Sequence, residues 1–243
     1  MLVEVYPAKG GDPSNVTPKK DEGGRHTAGR TTKGVYQLDH AGKHVSSSWP
    51  LSKIPWGVPI KVNDRDKTDV LYEHPRGHWR SVRKRLGVSG AVDVVQRLFW
   101  IYERLTRFCS DKLPTTWVFN DFGHRTWYMV KYRRRTAVAA ESRRIHPEFI
   151  HSSQINEIQT QRGEAVELAY SHGCIHLKPR DIDEMQRRGY LRAGNIFVVH
   201  AYDEKPTVRE AERGALYKHY QVHFFPKVEL LYVYGYGARI SAP

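Results

Sequence analysis

The sequence predicts an α+β chain in which strands outweigh helices. Short apolar stretches at 2–6, 34–38, 58–62, 196–201 and 222–225 are rich in β-branched and aromatic residues and are bounded by Gly, Pro, Ser or Asp, the mark of strands. Helical spacing is confined to a few windows. No internal repeat or clear linker appears, so one mostly β domain with inserted helices is the simplest account.

Taken in order, 2–6 is a short strand and 8–33, rich in Gly, Asp, Lys and Thr, is a long loop. Residues 34–38 alternate as a strand. Residues 40–56 are Ser- and Pro-rich, with Trp49 and Trp56 as packing anchors or a groove wall. Residues 58–62 form a strand. From 91 to 109, Val92, Val95, Leu98, Phe99, Tyr102, Leu105 and Cys109 recur at three and four residues, which gives a helix with one apolar face. Residues 116–119 and 126–132 read as two strands of a hairpin around 120–125. Arginines cluster at 133–135 and 143–144, most simply as a solvated face. Pro179 opens a short helix over 179–188, Asp181 and Asp183 suit its dipole, and Gly189 can end it. A strand at 196–201, a helix at 208–219 and a hairpin of 222–225 with 228–234 around Pro226 complete the chain.

The 243 residues are 40% hydrophobic and 12% aromatic, enough for a substantial core. Lys and Arg exceed Asp and Glu by 39 − 26 = 13. A basic balance favours polyanions: nucleic acid, anionic lipid or an acidic polymer. No run approaches the ~18 apolar residues of a membrane span. The first residues lack a basic segment followed by an apolar one, so no signal peptide is expected. Two cysteines, Cys109 and Cys174, do not suggest a disulfide framework. Cys109 reads as a buried thiol on the apolar helix face.

The stretch Tyr170-Ser171-His172-Gly173-Cys174-Ile175-His176-Leu177 sets one thiol between two histidines. A free thiol titrates near pH ~8.5, and the thiolate is the nucleophile, so a neighbouring imidazole has a role to play. Gly173 leaves room for a substrate carbonyl and accepts a φ that other residues resist. Amides of such a turn can face an oxyanion.

Ser171-His172-Gly173-Cys174-Ile175-His176 followed by Leu177-Lys178-Pro179-Arg180-Asp181-Ile182 resembles the signature of the L,D-transpeptidase catalytic domain, the YkuD-like family. Phe149-Ile150-His151-Ser152-Ser153 resembles that family's upstream histidine segment, nineteen residues (152–170) before Ser171. Thr31-Thr32-Lys33-Gly34-Val35-Tyr36 and Gly194-Asn195-Ile196-Phe197-Val198-Val199 resemble two of its strands. The match is strong over about 148–200 and weak before it. Two positions depart from the pattern: His176 stands where the family has Arg or Asn, which removes a fixed positive fork, and Ser152 stands where many members have Gly.

The resemblance implies a YkuD-like β-sandwich catalytic domain with inserted helices. It implies a single domain over 1–243, with a helical insertion at about 84–112 and a C-terminal extension at about 203–243. It implies Cys174 as nucleophile, His151 as base, the Ser152 carbonyl orienting the imidazole, and His172 lining the site. The amides of Gly173 and Cys174 would receive the oxyanion. Ser171 would hold the loop, and His176 would bear on substrate orientation. The implied reaction is acyl transfer from a peptidoglycan stem tetrapeptide through a thioester. An amine acceptor gives a 3→3 cross-link, water gives L,D-carboxypeptidase activity, and a free D-amino acid gives exchange. No metal or cofactor is implied.

The site of action would be the periplasm or cell envelope, reached by a leaderless route or after loss of a leader. A secreted antibacterial effector with a secretion-system or immunity partner fits the first case. Two other readings rest on the residues alone. In an extended segment His172, Cys174 and His176 point to one side, and with His151 they would offer four ligands suited to zinc. The net charge, the arginines and the many Tyr and Trp would suit nucleic acid, but no helix-turn-helix, finger or RNP pattern is present and no nucleic acid is expected.

Overall fold

The computed structural model describes residues 1–15, 19–20, 26–27, 29–90, 92–107, 112–132, 144–207 and 216–240. In chain order the strands and helices are β1 (Leu2–Pro7), β2 (Lys19–Lys20), β3 (His26–Thr27), β4 (Gly34–Gly42), β5 (Ile60–Val62), β6 (Val70–His74), β7 (His78–Ser81), α1 (Val82–Leu86), α2 (Val94–Thr106), β8 (Thr126–Lys131), β9 (Ile150–His151), α3 (Gln154–Gln161), β10 (Ile175–His176), α4 (Pro179–Arg187), β11 (Ile196–Val199), β12 (Leu216–Phe225) and β13 (Leu230–Ile240). The chain is α+β with strands predominating. No described helix is long and apolar enough to cross a membrane.

The chain divides into two compact units. The first, Met1–Gly42, Thr126–His151 and Glu167–Pro243, is built on an eight-stranded mixed sheet in the order β1-β13-β12-β11-β4-β8-β9-β10. Its core joins Leu38, Met129, Ile150, Ile175, Leu177, Ile182, Met185, Phe197, Val222, Phe224 and Val233, all fully buried. Helix α4 belongs here for legible reasons. Pro179 starts it, Asp181 stands in its first turn, and Ile182 and Met185, three apart, enter the core. Gly189 follows at φ +75°, where a side chain would be strained.

Asp181 is half-buried, and desolvation raises its carboxyl from 3.8 to about 6. A folded value above the unfolded one means stability fully present below about pH 4 and lost as pH rises through about 6. Asp181→Asn is therefore expected to melt close to the parent at about pH 4 and several degrees above it at neutral pH. Thermal melts at the two pH values check this.

The tail expected as an extension is integral to this sheet. β12 runs parallel to β11, with Phe197 opposite Val222, and antiparallel to β13, which also pairs with β1. The expected hairpin is present but longer than predicted. The helix expected at 208–219 is corrected: residues 216–219 belong to β12, and 208–215 lie outside the described residues. Leu216, Tyr217 and His219 pair across the sheet with β13, and that pairing overrode the local reading.

The second unit, Lys43–Arg125 with Ser152–Val166, is more than the helical insertion expected at about 84–112. It has a three-stranded sheet, β5-β6-β7, and a core of its own around Ile54, Trp56, Val70, Val82, Leu98, Trp117, Phe119 and Ile158. Asp93 caps α2 by accepting from the Gln96 N–H at 3.0 Å. Trp56 is buried, whereas Trp49 is exposed and borders a cavity of about 350 Å³ with Leu51, Leu98 and Ile101.

The hairpin expected of 116–119 with 126–132 does not form. Residues 117–119 are buried in the second unit's core, and the Trp117 backbone bonds Gly57 and Val58, so its partners are upstream. Asn120 then pins the turn by donating to the carbonyls of His44, Ser52 and Ile54. The strand at 126–131 pairs instead with β4 and β9. Cys109, Arg133, Arg134, Arg135 and Arg143 lie outside the described residues.

Candidate active site

Residues 171–176 form a turn running into the short edge strand β10, all in the first unit. On one side β10 pairs in parallel with β9, Ile175 opposite Ile150 and His176 opposite His151. On the other side the N-terminal segment closes over it. Ser171 N–H donates to the Gly10 carbonyl at 2.9 Å, and His176 exchanges bonds with Lys9 at 2.7 and 3.0 Å. Gly11 in turn packs against the next stretch of chain: a Cβ there would lie 1.8 Å from the Gly29 carbonyl oxygen.

The register sorts the side chains. Ile150 and Ile175 are fully buried in the core. Alternation along a strand therefore turns His151 and His176 to the opposite face, with Cys174 in the turn just before β10. There the His151 and His176 rings meet edge to face, centroids 4.8 Å apart. The Phe149 N–H points at the Cys174 sulfur at 3.4 Å. His151 is buried, Cys174 and His176 are half-buried, and His172 is exposed.

Ser171 is the internal brace of the turn. Its buried hydroxyl donates to the Cys174 carbonyl and accepts the Gly173 N–H at 3.0 Å. The Gly173 amide, expected to serve an oxyanion, is therefore already engaged. Gly173 itself stands at φ +121°, which a residue with a Cβ adopts only under strain. Ser171→Ala would leave a carbonyl and an amide unsatisfied, a cost of ~1–3 kcal/mol. It is expected to lower the melting temperature by several degrees and to speed modification of Cys174 by a thiol reagent as the turn loosens and the sulfur is less buried.

The protonation states follow from the surroundings. Desolvation pushes the Cys174 thiol up to about 12; the Phe149 N–H opposes this, and the Glu148 carboxylate adds to it. The resting sulfur is therefore a thiol at neutral pH, and its proton must leave as it attacks. His176 is depressed by burial, with His172 adding to the effect, so it is neutral. Its Nδ1 donates to the Ala169 carbonyl at 2.9 Å, which leaves Nε2 as an acceptor.

Ser152 follows His151 in the chain and belongs to the second unit. Its buried hydroxyl donates to Glu157, which also meets His124 Nδ1 at 2.6 Å. Gly123 makes room for this group, since a Cβ there would lie 2.0 Å from the Ser152 oxygen. Among the described residues no set of three His, Cys, Asp or Glu side chains is arranged to hold a metal ion, so the alternating His172, Cys174 and His176 do not converge as the zinc reading required.

Sequence reasoning missed one group beside the thiol. Glu148 accepts from the Thr32 N–H at 2.9 Å and the Thr32 hydroxyl at 2.8 Å, and meets His146 Nε2 at 3.2 Å. The only signal was an acidic residue just ahead of the apolar pair that leads into His151. Comparison with family models, with curated proteins and with solved structures gives no match. The fold and site thus define an α+β protein with a cysteine–histidine face on the edge of a mixed sheet.

Proposed function

We propose that the protein is a cysteine-dependent L,D-transpeptidase with a YkuD-like catalytic domain, acting on peptidoglycan stem tetrapeptides. The observation that supports the reading is the parallel register of β9 and β10, which sets the His151 ring against His176, with the Cys174 sulfur 3.4 Å from the Phe149 N–H at the start of the same pairing. The motif resemblance over 148–200 selects the substrate.

In this reading the sulfur of Cys174 attacks the carbonyl of the donor's third residue while His151 takes its proton. The Ser152 carbonyl orients the ring, and the Cys174 N–H faces the oxyanion. The carbon–nitrogen bond to D-alanine breaks, the imidazolium returns the proton to the leaving amine, and a thioester remains. Transfer to an amine of a second stem gives the cross-link. Transfer to water gives L,D-carboxypeptidase activity, and transfer to a free D-amino acid gives exchange. His176 and His172 border the acyl site. The place of action is the cell envelope, where the protein serves as a wall enzyme or as a delivered effector.

Mass spectrometry of muropeptides incubated with the protein tests this. The expected result is loss of D-alanine from tetrapeptides, with dimers, tripeptides or exchanged stems as products. Unchanged muropeptides together with an unmodified Cys174 would refute the reading.

A further inference from the structure

We propose that Glu148 is a specificity-determining residue that receives the cationic side chain of the acyl donor's third residue. The inference rests on the acyl-transfer reading of Cys174 and names the group that selects its substrate.

The geometry puts this carboxylate over the one residue left bare before the sulfur. A Cβ on Gly173 would meet Glu148 Oε1 at 3.0 Å and its Cδ and Cγ at 3.4 Å. A donor carbonyl entering above Gly173 would therefore bring its own side chain past Glu148. The carboxylate is held in place by the Thr32 N–H and hydroxyl and by His146, which packs on Tyr36 with ring centroids 4.6 Å apart. Its side chain keeps 16% of its surface exposed.

The charge balance gives the argument its direction. In a chain of net charge +13, no Lys or Arg among the described residues pairs with Glu148; the recorded ion-pair partner is His146. A carboxylate beside a thiol opposes formation of the thiolate, and Glu148 acts in that direction on Cys174, adding to the larger effect of burial. A site that must build negative charge on sulfur thus carries beside it a carboxylate whose partners are Thr32 and His146. A ligand ammonium eases the conflict: it pairs with Glu148 and offsets the carboxylate's share of an effect whose larger part is burial of the sulfur. A seated donor of the right charge thus favours loss of the thiol proton. The proton passes from sulfur to His151, and the groups facing Glu148 are Thr32, His146, Tyr36, Tyr202, Gly173 and Cys174.

The experiment compares a stem tetrapeptide bearing a free side-chain amine with the same peptide acetylated on that amine. The parent protein is expected to favour the free amine by at least ~10-fold in kcat/KM, and Glu148→Gln to bring the ratio near one. In parallel, the pH midpoint of Cys174 alkylation by iodoacetamide is expected to fall in Glu148→Gln. It should also fall in the parent, but not in the variant, when the amine-bearing tripeptide product is added. Equal turnover of both donors by the parent would overturn the inference while leaving the acyl-transfer reading intact, and needs no variant to fold. An alkylation midpoint unmoved by Glu148→Gln, in a variant that melts like the parent, would overturn it as well. No thioester with either donor would bring down the reading, and the inference with it.

Discussion

Cys174→Ala is expected to abolish release of D-alanine from tetrapeptide muropeptides, a fall of roughly 10⁴–10⁶-fold, the scale on which enzymes depend on the nucleophile of a covalent step. The fold is expected to persist. The side chain accepts one long bond from Phe149, and the bonds that shape the turn come from the Ser171 hydroxyl and from the Lys9 and Gly10 backbone. The melting temperature is therefore expected to move by no more than about 4 °C. Mass spectrometry adds a second readout: a donor-derived adduct on the parent that is missing from the variant. Normal turnover by Cys174→Ala would remove the sulfur from the mechanism.

Replacing His151 is the second large effect. With the thiol held up to about 12 by burial and by Glu148, attack at neutral pH depends on a base that takes the proton as the bond forms. Loss of such a base costs ~10²–10⁴-fold in rate. His151→Gln is the informative variant, because the ring is buried and packed on His176 and glutamine keeps most of its volume. Its kcat is expected to fall by that factor with KM little changed. The backbone bond from the Leu177 N–H to the His151 carbonyl, 3.0 Å, survives the substitution and keeps the two strands in register. If His151→Gln works normally and His176→Gln does not, the base is the other imidazole of the pair.

Much of the first unit could be read before folding was considered. Apolar stretches at 2–6, 34–38 and 196–201 became β1, β4 and β11, and the spacing of Ile182 and Met185 became the buried face of α4. The second unit was harder to see, because its sheet comes from short strands at 60–81 with charged and aromatic residues interspersed. Helix α3 carries only Ile155 and Ile158 as large apolar residues in Gln154–Gln161. Its capping Ser153, which accepts from the Asn156 N–H, was the available signal. The window 208–219 shows the opposite failure, where a helix was expected and, over 216–219, pairing with another strand decided otherwise.

By itself the sequence determined the chemistry on offer: a thiol between two imidazoles, a glycine before it, and an upstream histidine in an apolar setting. Those follow from residue types and short spacings, which no fold can change. Tertiary structure alone decided which groups meet. Pairing of β9 with β10 carried His151 opposite His176, two residues past Cys174, across more than twenty residues of chain. The backbone of Lys9 and Gly10 closed the other edge, and Glu148 came to rest over Gly173. Such contacts depend on strand register and on burial, and neither is written in the local pattern of any one segment.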